Sequence, residues 1–340
     1  MSSASSEAAS KFGVGSHTPL QRLQHQLHQY PWISPLIILL ISFGVFTALN
    51  SRFLTANSLG LLMQQTAIIA ALAVGQTLVI LTAGIDLSVG AITVLSMMVM
   101  ASLAKDGGMP GPLALLIGVA LATGAGLLNG LLVTRLNLPP FIVTLGTLSI
   151  FTAIALLYSG GSSIQAAHLP DFINLLGDGF KIGGMRLTWG VVLVLIMYAV
   201  IGFILSQTAW GRYVYAVGDA PESARLSGVP EKRVLLQVYT IAGLLYGLAA
   251  WALIGRSGAA TPNAITDANL QSITAVVIGG TSLFGGRGRL VGTLIGALIV
   301  QAFAFGLSLA GVNQQWRVLA TGVLVIVAVS IDQWIRKVKA

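Results

Sequence analysis

The chain has no cysteine among its 340 residues, which excludes structural disulfides, thiolate metal sites and thiol nucleophiles. Its four histidines, His17, His25, His28 and His168, fall at no metal-ligand spacing. Charge is scarce as well: Asp, Glu, Lys and Arg together make up 8% of the residues, against roughly a quarter in soluble domains. Eighteen bases against ten acids leave a net charge of +8. Those bases lie between apolar runs and do not cluster on one polar face, so nucleic-acid binding is excluded. No paired nucleophile and base and no metal motif stands out, so neither an intramembrane enzyme nor a cofactor is expected. What the chain has in plenty is apolar surface. Hydrophobic residues make up 55% and glycines number 40, with a mean hydropathy of +0.88. This composition predicts an all-α, polytopic membrane bundle.

The first thirty residues are rich in Ser, Gln and His and lack the apolar core of a signal peptide, so 1–30 reads as a polar cytoplasmic tail and 31–340 as a transmembrane domain. Apolar stretches long enough to cross a hydrocarbon layer of roughly 30 Å lie at 33–49, 59–82, 113–134, 141–158, 189–206, 234–253, 290–310 and 316–331. Shorter ones at 88–104 and 272–284, flanked by glycine-rich turns, read as short or interrupted helices. The total is about ten transmembrane segments. With the amino terminus inside, twelve of the eighteen bases fall in cytoplasmic segments, as the positive-inside bias requires, and both termini are expected in the cytoplasm. The 159–188 stretch then faces outward, with room for a short element on the membrane surface.

The cytoplasmic stretch 207–233 holds the most informative polar sequence. In Gly218-Asp219-Ala220-Pro221-Glu222-Ser223-Ala224-Arg225-Leu226-Ser227-Gly228, Asp219 and Glu222 have capping-box spacing, Pro221 suits a first helical turn, and Gly228 suits a left-handed stop. Local chemistry leaves two readings open, a docking helix or a solvated connecting loop.

Glu222-Ser223-Ala224, three residues and Gly228 resemble the Glu-Ala-Ala-x-x-x-Gly coupling loop of ABC-importer permeases, although the Ile-x-Leu-Pro that follows in that pattern is absent. Three further runs, Gly75 to Gly90, Leu138 to Gly146 and Ile273 to Gly288, look like the ribose, xylose and fructose permeases of that family. The stretch Thr208 to Asp219 and the ending Ile331 to Val338 are most similar to its fructose-type branch. The resemblance implies a permease subunit that hydrolyses nothing itself and translocates a monosaccharide, fructose before ribose before other sugars, across a bacterial inner membrane. It further implies a second permease copy or close paralogue, two ATP-binding-cassette ATPase domains and an extracytoplasmic sugar-binding protein, with Asp219, Glu222, Ala224, Arg225 and Gly228 coupling to the ATPase.

Other candidates follow from the residues alone. Gln64, Gln76, Thr77 and Asn129 are polar within apolar spans and are candidates for a sugar path, with interhelical hydrogen bonding the competing role. Asp86, Ser88, Gly285 and Gly286 mark helix breaks where a gate could sit, and Asp86 or Ser88 is expected to cap the helix near Val89. Gly286-Arg287-Gly288 is no nucleotide loop, because Arg stands where Lys and Ser or Thr are needed. The GxxxG pairs Gly126/Gly130, Gly243/Gly247 and Gly292/Gly296 are expected to pack helices closely. An ion-coupled secondary sugar transporter is the alternative function; it would rest on Asp86 as its only membrane-embedded carboxylate.

Overall fold

A computed structural model describes residues 33–337, and helix α1 (Ile33–Leu49) is the first described element. The proposed tail at 1–30 lies outside the described residues. A short 3-10 turn, Ser51–Leu54, leads into α2 (Ala56–Leu81), whose start is capped by the Thr55 side chain on the Ser58 amide at 3.4 Å. Then follow α3 (Val89–Lys105), α4 (Gly111–Arg135) and α5 (Pro140–Ser159). Prolines in the first turns of α4 and α5 occupy sites where a missing amide costs nothing. After an irregular segment come α7 (Trp189–Gln207), α8 (Ala209–Asp219), α9 (Pro221–Leu226), α10 (Glu231–Ser257), α11 (Ala268–Ile278), α12 (Leu290–Leu309) and α13 (Gln314–Lys337).

Six of these, α2, α4, α5, α7, α10 and α12, are long and apolar enough to cross a bilayer among the described residues. Their 19 to 27 residues correspond to about 28 to 40 Å at 1.5 Å per residue. Helices α1, α3 and α11 are apolar but shorter. The stretch expected at 272–284 is helical only to Ile278, because Gly279 and Gly280 end it and a glycine loop occupies 279–289.

Helix α2 forms the axis of the bundle: nearly every residue from Thr66 to Leu81 is buried. Its neighbours α10 and α12 are also largely buried, whereas α5 and α7 turn Ile142, Ile150, Leu157, Leu195 and Phe203 outward, as suits a lipid-facing shell. Glycine sets the close crossings. A Cβ on Gly126 of α4 would lie 2.9 Å from the Gly243 Cα of α10, and one on Gly243 would lie 3.0 Å from the Gly126 Cα. The two backbones therefore touch, which any side chain would prevent. Gly292 and Gly296 of α12 press in the same way on the Gly279 and Ala275 carbonyls.

The 159–188 segment is folded onto one end of this bundle and carries the short strands that an all-helical expectation omits. β1 (Ile164–Gln165) pairs antiparallel with β4 (Ala259–Ala260), just past α10. The single turn α6 (Asp171–Asn174) precedes a hairpin of β2 (Gly179–Ile182) and β3 (Met185–Thr188). Its turn residues Gly183 and Gly184 have φ of 56° and 82°, the left-handed pair a two-residue hairpin turn needs. Trp251 of α10 fastens the segment by donating to the Ile173 carbonyl at 3.0 Å and stacking on Phe172 with ring centroids 5.4 Å apart.

Candidate coupling face and polar interior

The segment from Thr208 to Pro230 forms an exposed elbow at the end of the bundle away from the hairpin. Thr208 caps α8 by accepting the Gly211 amide at 3.2 Å. The Asp219 and Glu222 capping box does not form. Asp219 closes α8, because the Ala220 amide still bonds the Ala216 carbonyl at 3.1 Å, and α9 begins at Pro221 with no side-chain cap. The Asp219 carboxylate instead stands 4.0 Å from the Arg287 Nε, and Glu222 pairs with Arg225 one turn on at 3.0 Å. Gly228 has φ 84°, the left-handed stop expected of it. Behind it the Val229 amide closes on the Ala224 carbonyl at 3.0 Å.

Ala224 is the buried foot of α9, while Glu222, Arg225 and Gly228 face outward. Between them Leu226 is 82% exposed, an apolar tip that sequence reasoning missed. Its only signal was a lone leucine inside a polar run.

The elbow rests on two helix breaks. Gly218 packs so closely on α2 that a Cβ would run into the Leu81 carbonyl, and that same carbonyl accepts the Gly286 amide at 2.9 Å. Gly285 and Gly286 hold φ of 82° and 70°; side chains there would meet Ala83 and Asp219. Tyr215 of α8 donates to the Gly288 carbonyl at 3.0 Å. Burial raises the pKa of its hydroxyl and the charge of Arg289 partly offsets that rise. Asp219, Gly285 and Gly286, chosen separately from the sequence, thus meet at one junction with Leu81 and Ala83.

Asp86 lies just beyond this junction, 1% exposed. It accepts the Ser88 amide at 2.8 Å and the Ser88 hydroxyl at 2.6 Å, so it fixes the turn into α3, while Ser88 starts α3 without a side-chain cap. Asn129 of α4 donates to Ser88 Oγ at 2.9 Å, and Thr144 of α5 donates to the Ile85 carbonyl at 2.9 Å. The turn from Ile85 to Ser88 is thereby tied to α4 and α5 as it enters α3. The buried hydroxyls of Tyr239 and Tyr246 on α10 have no hydrogen-bond partner among the described residues.

The four path candidates separate. Gln64 donates to the Arg186 carbonyl at 2.8 Å on the wall of a cleft of about 410 Å³ at the hairpin end that Arg256 also lines. Thr77 is wholly buried and shared between the Ala73 carbonyl and Thr293 of α12 at 2.6 and 3.0 Å. Gln76 and Asn129 are wholly buried too, but both amide atoms of Gln76 and the Asn129 Oδ1 have no partner. Unsatisfied buried amides are costly, and these stand out as unexplained by packing alone. Among the described residues no cluster of His, Asp and Glu could hold a metal ion.

A profile of the branched-chain amino acid transport system / permease component family matches residues 58–329. A fructose import permease protein of Rhizobium meliloti is 49% identical over 342 aligned positions, covering 99% of this chain and 94% of the relative. A ribose import permease protein of Bacillus subtilis is 37% identical, covering 88% of this chain and 92% of the relative. A galactose/methyl galactoside import permease protein of Haemophilus influenzae is 32% identical over 87% and 92% of the respective chains.

Proposed function

This chain belongs to the branched-chain amino acid transport system / permease component family, and from that membership we propose that it is the fructose-carrying permease of an ATP-driven importer. At the level its relatives share, it is the multi-pass membrane subunit of an ABC sugar importer in a bacterial inner membrane. The observation that carries fructose, ahead of ribose and other monosaccharides, is the 49% identity to a fructose import permease along virtually the whole chain. ATP hydrolysis belongs to a separate ATPase chain, and an extracytoplasmic binding protein delivers the sugar.

In this reading the permease works as a pair, a homodimer or a dimer with a close paralogue, on two ATPase domains. About ten segments cross the membrane and both termini are cytoplasmic, with 1–30 a cytoplasmic tail and 207–233 the coupling loop. Helix α9 seats on the ATPase through Glu222, Arg225 and Leu226, with Ala224 its buried foot and Gly228 its stop. ATPase closure displaces α8, which bears through Gly218 and Asp219 on Leu81, Gly285 and Gly286, so the breaks after α2 and α11 move together. The turn held by Asp86 and Ser88 follows, and Gln76 and Asn129 gain partners when the path opens. Such a switch needs only that the two states differ in contact with the ATPase and the binding protein.

The test is reconstitution with the ATPase and the cognate binding protein. Fructose should stimulate ATP hydrolysis and ATP-driven uptake more than ribose does. Stimulation by ribose with no response to fructose would move the substrate to ribose, and a response to amino acids alone would remove sugars altogether.

A further inference from the structure

On the lipid-facing side of the bundle, α4, α7, α8 and α10 enclose a cleft of about 400 Å³, lined by Leu127, Ile204, Trp210, Leu236, Thr240 and Ile241 with Gln237 at its rim. Its walls are almost wholly apolar. The Trp210 indole donates to Gln237 Oε1 at 2.9 Å, which satisfies its one polar group and leaves the ring as a wall. Tryptophan in this setting belongs at the boundary between headgroups and acyl chains.

Two bases stand at the ends of the helices that line the cleft. Arg135 closes α4, and Arg233 lies in the first turn of α10, one turn before Gln237 on the same helical face. Both are exposed, and among the described residues neither pairs with a carboxylate. Lys232 bonds Asn137 Oδ1 at 2.9 Å, which holds the start of α10 beside the end of α4. From Arg233 to Ile241 the helix rises about 12 Å at 1.5 Å per residue, a length an acyl chain readily fills.

We propose that this cleft is a binding site for an anionic diacyl phospholipid. Its phosphate lies on Arg135 and Arg233, and one acyl chain lies against Trp210, Leu127 and Thr240. A second copy of the permease is the competing occupant, but a twofold contact on this face would set the same arginines near their counterparts, like charge against like. A zwitterionic lipid would fill the cleft without answering the two positive charges. The lipid would brace the joint between α8 and α10, next to the elbow on which coupling depends. On the orientation proposed above the site lies in the cytoplasmic leaflet, which cysteine labelling reports separately; lipid binding itself does not depend on it.

The test uses the full-length permease, purified, stripped of lipid and offered an equal mixture of dioleoyl phosphatidylglycerol and dioleoyl phosphatidylcholine, with bound lipid read by native mass spectrometry. Phosphatidylglycerol should be retained in preference. Replacing Arg135→Gln and Arg233→Gln together should lower its retention by roughly fivefold for each arginine, with phosphatidylcholine unchanged. Thr240→Phe, which fills the cleft, should lower retention of both. Equal retention of the two lipids by the wild type, or an undiminished preference in the double glutamine variant, overturns the proposal. So does a Thr240→Phe variant that binds lipid normally but no longer dimerises, because the second copy would then be the occupant.

Discussion

The Gly286 amide donates to the Leu81 carbonyl at 2.9 Å, so the last turn of α2 is finished by a loop two hundred residues along the chain. Carbonyls at a helix end have no partner within the helix, and Gly218 covers this one from the elbow side with only its Cα. Gly218→Ala forces a methyl into that carbonyl, an overpacking of about 1 to 3 kcal/mol. The variant should reach the membrane at near wild-type levels yet lose at least most of its ATP-driven uptake. Gly202→Ala on α7, where a Cβ meets nothing within 4 Å, is the control and should transport normally. Equal uptake by both variants would separate this junction from coupling.

The elbow itself gives a second expectation. Glu222 and Arg225 are exposed, and such a surface pair contributes about 0 to 1 kcal/mol; Leu226 packs on little, and Gly228→Val adds left-handed strain of roughly 1 to 2 kcal/mol. Glu222→Ala, Leu226→Ser and Gly228→Val should therefore insert, dimerise and bind the sugar-loaded binding protein. Uptake and sugar-stimulated ATP hydrolysis should fail in each. If all three transport at the wild-type rate with equal protein levels, this segment is a solvated connection.

Asp86 invites a graded pair of substitutions. Asp86→Asn keeps an acceptor for the Ser88 amide and should cost little, whereas Asp86→Ala leaves the buried amide and hydroxyl of Ser88 short of a partner, at about 1 to 3 kcal/mol each. Thermal unfolding in detergent should rank wild type, Asn and Ala in that order. Uptake by Asp86→Asn should remain ATP-driven. Abolished uptake in a variant that unfolds at the wild-type temperature would instead make the charge itself part of transport.

Orientation can be read from single cysteines, since the chain has none of its own. Ser223→Cys on α9 and Ser163→Cys in the segment that packs on the end of α10 are both at exposed positions. An impermeant thiol reagent should reach the first only from the cytoplasm and the second only from outside. Labelling of both from one side would refute the proposed topology.

The long helices were legible because apolar length alone specifies them: a stretch expected at 189–206 is the helix Trp189–Gln207. The glycine pairs were legible too, and Gly126 and Gly243 meet as such pairs should. Gly228 announced its positive φ. What the sequence could not show was long-range choice among partners. Asp219 had a plausible local partner in Glu222's helix, but α8 runs on through it and its carboxylate turns toward Arg287. Thr77 and Gln76 are neighbours of like polarity, yet only Thr77 finds a partner, Thr293, 216 positions away. The 159–188 segment hid its hairpin because its strands are four residues long and their pairing depends on two glycines.

The backbone contact between Gly126 and Gly243 also sets an order of events during synthesis. The two residues are 117 positions apart, so at roughly 5 to 20 residues per second α4 is made about 6 to 23 s before its partner. Through that interval the bare glycine face of α4 has only lipid or the insertion machinery against it. Docking of α10 is therefore a late, concerted step of biogenesis, and variants that slow translation between α4 and α10 should lengthen the lifetime of a protease-sensitive intermediate ending before Glu231.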